Sequence, residues 1–125
     1  MHALSMEAHQ NFGTSINPSF CREIQIVIRN ADRYPGTVSL ELILIDTTLR
    51  EKPSQSLGSS AVVSTMTWKL YDDRPVTTEI LHFNVPVKSR ISRFDELMVI
   101  FRLDPGRSFS AAKMGITSFI LIPRT

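Results

Sequence analysis

The sequence predicts an all-β domain, an antiparallel β-sandwich of jelly-roll type. Alternation is the first reason. Ile24, Ile26 and Ile28 are separated by Gln25 and Val27. Val38, Leu40, Leu42 and Leu44 interleave with Ser39, Glu41 and Ile43, and Leu97, Val99, Phe101 and Leu103 with Met98, Ile100 and Arg102. A period of two lines one face of a strand with apolar side chains. The second reason is punctuation. Gly, Pro, Asn and Asp clusters cut the chain into six to eight short runs, the spacing of a sandwich or barrel. The third is that no segment carries a helical period flanked by caps.

Taken in order, a short first strand is expected over residues 4–8. Residues 11–19 hold Gly13, Asn17 and Pro18 and read as a loop. Residues 20–29 form a strand, and Asn30 to Gly36 is turn chemistry. Residues 37–46 make the strongest strand, followed by a polar loop at 47–54. A weaker strand spans 55–64, broken at Gly58 and suited to an edge. Residues 65–75 are mixed and end in Asp72-Asp73-Arg74-Pro75, a loop signal. Residues 76–85 alternate through Leu81, Phe83 and Val85. Residues 94–103 form a second central strand, Asp104-Pro105-Gly106 a turn, 110–114 at most one helical turn, and 113–123 a last strand with both faces apolar. The expected core is Ile26, Ile28, Leu40, Leu42, Leu44, Leu81, Phe83, Leu97, Val99, Phe101 and Ile120, with Ile24 at its rim.

The chain has 125 residues, which suits one domain spanning 1–125 with one core. Formal net charge is +2, with 14 Lys and Arg against 12 Asp and Glu, too weak a balance to imply nucleic acid. The one basic cluster, Lys88, Arg90 and Arg93, reads as a solvated loop ahead of an anion site. Cys21 is the single cysteine, so no intrachain disulfide can form, and its place beside Phe20 at a strand start predicts a buried, inert thiol. No run approaches the roughly 20 apolar residues of a membrane span. The opening lacks the basic start and apolar block of a signal peptide. It reads as though the chain begins inside a strand, so the domain is expected to be a fragment of a longer protein.

No residue pattern points to catalysis. His2, His9 and His82 are not spaced with Cys, Asp or Glu as a zinc or calcium site requires, and His82 is expected on a solvent face. Asp72-Asp73 and Asp95-Glu96 are adjacent pairs, and neighbours on a strand point to opposite faces rather than converging as an acid–base dyad. Asp95 is instead expected to set the entry of its strand. There is no Gly-x-Ser-x-Gly elbow, and Gly58-Ser59-Ser60 is no phosphate loop. No catalytic residue, metal ligand or cofactor is expected.

Aromatics in loops carry the remaining signal. Tyr34 lies in a turn with Asp32 and Arg33, and Trp68 and Tyr71 lie in the mixed segment before Asp72-Asp73. A ring can stack on the apolar face of a sugar while nearby polar groups take its hydroxyls. The competing expectation, and the favoured one for Trp68, is that it closes the sandwich as a core or rim residue.

Three stretches carry a resemblance. They are Ile24-Gln25-Ile26-Val27-Ile28-Arg29-Asn30-Ala31-Asp32-Arg33-Tyr34-Pro35-Gly36-Thr37-Val38-Ser39-Leu40-Glu41-Leu42, then Gln55-Ser56-Leu57-Gly58, then Phe94-Asp95-Glu96-Leu97 leading to Ala112-Lys113-Met114-Gly115-Ile116 and Phe119-Ile120-Leu121-Ile122-Pro123. The chain resembles, over most of residues 3–124, the soluble C-terminal domain of a family of uncharacterised bacterial proteins whose upstream part is predicted to be membrane-embedded. That resemblance implies no activity and no functional residues. It implies tethering to a membrane through an upstream segment. At the level of architecture the layout is also similar to jelly-roll carbohydrate-binding modules, and architecture does not settle function. The expectation is therefore a non-catalytic recognition domain, with carbohydrate as the first ligand class and Tyr34, Trp68 and Tyr71 as the binding residues. The alternative is a structural or protein-interaction domain appended to a membrane protein. A small hydrolase is a weaker third, because no site supports it.

Overall fold

The structure is a computed structural model, and it describes residues 5–30, 36–64, 77–103 and 114–124. Seven strands appear: β1 (Ser5–Ile16), β2 (Cys21–Asn30), β3 (Gly36–Ile45), β4 (Ser54–Ser64), β5 (Thr77–Asn84), β6 (Phe94–Leu103) and β7 (Met114–Pro123). One 3-10 turn, Pro18–Phe20, joins β1 to β2, capped by the Asn17 side chain accepting from the Ser19 N–H. The strands form a four-stranded sheet in the order β1-β6-β3-β4 and a three-stranded sheet in the order β5-β2-β7. Every pairing is antiparallel. The two sheets bury one core between them, so the all-β antiparallel sandwich stands. The described strands number one fewer than the eight of a full jelly roll.

The two long alternating runs, β3 and β6, are the central strands of the larger sheet, and the weaker β4 is an edge, as their composition predicts. Alternation in β2, β3 and β6 turns Ile26, Ile28, Leu40, Leu42, Leu44, Leu97 and Val99 inward, each 0% exposed. Leu81 and Phe83 of β5 join them. Phe101 is half-buried against the same cluster.

Several expectations are corrected. Ile24 is not at the rim. It sits on the middle strand of its sheet, paired with Phe83 on one side and Leu121 on the other, and is fully buried. Ile120 is not in the core. Opposite β2, the pairing runs from Val27↔Ser118 to Ile28↔Ile116, so Thr117 is an extra residue in β7. Such a bulge exchanges the faces of everything beyond it. Ile116, Phe119 and Leu121 therefore pack against the core, while Ile120 is 40% exposed on the outer face. β1 is longer than expected, reaching Ile16 through an irregularity after Asn11. Phe12 sits edge-on to Phe94, with centroids 6.2 Å apart, so part of the expected loop contributes to the core. At Gly58 the chain is not broken but bulged. β4 carries one more residue than β3 between Glu41 and Ile43, and Gly58 takes φ +95°, a conformation open to glycine.

Cross-strand rows define two ends. Ser5 pairs with Arg102, Gly36 with Ser64 and Val38 with Leu103, and Asn30 pairs with both Thr77 and Met114. Only five residues join Asn30 to Gly36, so these rows lie at one end of the sandwich, here the upper end. The connections at 17–20, 46–53 and 85–93, with Arg124, make the lower end.

Candidate functional site

Tyr34, Trp68 and Tyr71 lie outside the described residues, as do Asp72 and Asp73. The strand ends that flank them are described. Residues 31–35 run from Asn30 to Gly36, residues 65–76 from Ser64 to Thr77 and residues 104–113 from Leu103 to Met114. All six flanking ends belong to the upper end. The upper rim of the smaller sheet is set by Asn30, 6% exposed, whose amide donates to Glu79 Oε2 at 2.9 Å.

The two carboxylates that are buried among the described residues lie at the lower end. Asp95 is 7% exposed and accepts from the Thr47 N–H at 2.8 Å and the Thr47 hydroxyl at 2.5 Å. Asp46 is 1% exposed and accepts from the Thr48 N–H at 3.0 Å and the Thr48 hydroxyl at 2.5 Å. Arg93 Nε donates to Asp46 Oδ2 at 3.3 Å. Asp95, expected to set the entry of its own strand, ties β6 to the connection after β3. Hydroxyl donation, from Thr48 to Asp46 and from Thr47 to Asp95, is the largest influence on each and holds both carboxyls below the ordinary carboxylate value. A general acid needs the reverse, a carboxyl raised toward neutrality. This pair is built as two anions that fasten a loop.

Arg124 is the other clasp. Its guanidinium donates to the Ser19 carbonyl at 3.2 Å and to the Cys21 and Val85 carbonyls at 2.9 Å each, while its N–H bonds Phe20 O at 2.7 Å. The end of β7 is thereby tied to the 3-10 turn, to β2 and to the chain leaving β5. Gln55 Oε1 accepts from the Ser89 hydroxyl at 2.5 Å and the Arg90 N–H at 2.7 Å, pinning the 85–93 connection to β4.

His9 and His82 occupy outer faces. His9 presents Nδ1 to Glu96 at 3.0 Å and Nε2 to Glu7 at 3.1 Å. Two carboxylates facing both ring nitrogens favour the imidazolium, which alone can donate twice, so His9 is raised above its ordinary 6.5, mostly by Glu96. His82 is exposed as expected and pairs with Glu23. His2 lies outside the described residues. Cys21 is buried, and burial pushes its thiol up, so it is protonated and inert at neutral pH. Among the described residues, no group of three or more His, Cys, Asp or Glu could hold a metal ion, and no helix is long and apolar enough to cross a membrane.

Asp46 and Arg124 were missed as organising residues. The Asp46-Thr47-Thr48 run does carry the signature of a side chain capping its own turn. Nothing marks Arg124, since its three acceptors are main-chain carbonyls distant in sequence. Comparison of the chain with family models, with characterised proteins and with solved structures finds no match.

Proposed function

We propose that this domain is a non-catalytic recognition module, that it binds through its upper end, and that carbohydrate is its ligand class. One observation carries the reading. Both tyrosines and the single tryptophan of the chain fall in connections that leave the upper strand ends, with Asp32, Arg33, Lys69, Asp72, Asp73 and Arg74 beside them. Sandwiches commonly carry recognition on the loops of one end, supported by a rigid scaffold. Aromatic rings would cover the C–H face of a sugar ring and the charged groups would bond its hydroxyls. A jelly-roll connectivity, the finer fold class drawn from the strand succession, is shared by lectin domains and fits this use.

A second reading, a structural or protein-interaction domain of a membrane protein, draws on the resemblance of residues 24–42, 55–58, 94–97, 112–116 and 119–123. A glycan-array screen separates the two. Trp68→Ala and Tyr34→Ala are expected to abolish the glycan signal with little change in Tm, because aromatic anchors commonly contribute about 2 kcal/mol or more each. Unfolding of the Trp68→Ala protein, together with an array blank for the parent chain, would sink the sugar reading.

A further inference from the structure

We infer that the lower end docks on an anionic lipid membrane. Three large apolar side chains stand out from it: Phe20 at 68% exposure, Val87 at 70% and Leu49 at 41%. Each rises from a different connection, and the connections are fastened to the sandwich rather than trailing from it. Phe20 closes the 3-10 turn that Arg124 clasps, and its own carbonyl takes the Arg124 N–H. Val87 lies in the 85–93 connection, held at Val85 by Arg124 and by Arg22 O, and at Ser89 and Arg90 by Gln55. Leu49 lies in the 46–53 connection that Asp46 and Asp95 tie down. A fixed frame lowers the ordering cost of presenting these side chains together.

Charge selects the partner. Segments 17–22, 46–53, 85–95 and 123–124 carry seven basic residues, Arg22, Arg50, Lys52, Lys88, Arg90, Arg93 and Arg124, against Asp46, Glu51 and Asp95. Their balance is +4, while the whole chain carries +2, so the remainder of the molecule is net negative. Asp46 and Asp95 are buried and bonded by Thr48 and Thr47, Arg93 is paired with Asp46 and Arg124 is turned to main-chain carbonyls, which leaves Arg22, Arg50, Lys52, Lys88 and Arg90 against Glu51 as the exposed, unclasped charges of these segments. Exposed apolar tips on connections that also carry exposed cations match the two layers of a bilayer surface. The tips enter the boundary below the headgroups and the cations meet anionic phosphate and carboxylate. The upper end, the seat of the proposed recognition site, would then face away from the membrane.

Vesicle co-sedimentation tests the assignment on the full chain. The protein is expected to pellet with phosphatidylcholine vesicles containing phosphatidylserine, to stay free with phosphatidylcholine alone, and to be released by added salt. Phe20→Ser with Val87→Ser should weaken binding about tenfold or more at unchanged Tm, because neither side chain is in the core. Lys88→Gln and Arg90→Gln should each weaken it about fivefold. Failure to bind the anionic vesicles overturns the inference. So does anionic binding that the Phe20/Val87 double variant leaves intact while a soluble polyanion such as heparin competes for it, since that would be a general anion patch.

Discussion

Leu42 sits in the middle of β3 between Leu40 and Leu44 on the same face, paired across to Val99 of β6, and all four are 0% exposed. Truncating such a side chain removes buried methyl groups and leaves a cavity that the two sheets can close only by moving apart. Leu42→Ala is therefore expected to cost about 2–5 kcal/mol in urea unfolding. An effect near zero would place Leu42 on the outer face, one register step away. Residues of this kind were readable from the chain alone, because β2 and β3 set one apolar face against a largely polar one over their inner length. Asp95 and Thr47 were not readable as a pair. They are 48 positions apart, and their bond exists only because β6 and β3 are neighbours.

At the level of elements, readability follows how cleanly alternation separates two faces. β7 shows the failure. Ile116, Phe119, Ile120, Leu121 and Ile122 supply apolar residues of both parities, so a regular strand could bury either set. The bulge at Thr117 makes the choice, and the Thr117 hydroxyl donates to Val27 O at 3.1 Å to hold it. A bulge is a property of two strands together and is invisible in one. The proposed ligand residues were readable as aromatics between strands, and the common end of their flanking strands emerged only from the sheet registers. The end of β7 is clasped by one side chain. Arg124→Met keeps the aliphatic stem and deletes the donors to the Ser19, Cys21 and Val85 carbonyls. It should lower stability by about 2 kcal/mol, as expected for charge-assisted bonds left unmade. Hydrogen exchange should show the loss first in the last residues of β7 and the first of β2. Uniform loss across both sheets would mean that the clasp is not local.

For the whole molecule, the way the lower end is held gives stability a particular pH dependence. The lower end rests on ionised carboxylates. Asp46 and Asp95 lie below their ordinary 3.8; in the middle of β3, away from that end, Glu41, bonded by Ser56 and Arg102, lies below its ordinary 4.5. A group whose pKa is lower in the folded state binds fewer protons there than when unfolded, so its contribution is full above the unfolded value and is lost as pH falls through the folded one. His9 has the opposite sign. Its pKa is raised above 6.5, so its contribution is present in acid and lost as pH rises past the folded value. Because His9 is exposed, its contribution is screened and the acid limb dominates. Stability should thus plateau between roughly pH 4.5 and 6.5 and fall steeply below about pH 4. The urea midpoint, followed against pH, should show this fall flattened in Asp46→Asn/Asp95→Asn, with a residual slope from Glu41. The double variant should also be weaker at neutral pH, where a neutral amide meets Arg93 and the threonine donors less favourably than an anion does. An acid limb as steep in the double variant as in the parent chain would show that these two carboxylates do not hold the lower end.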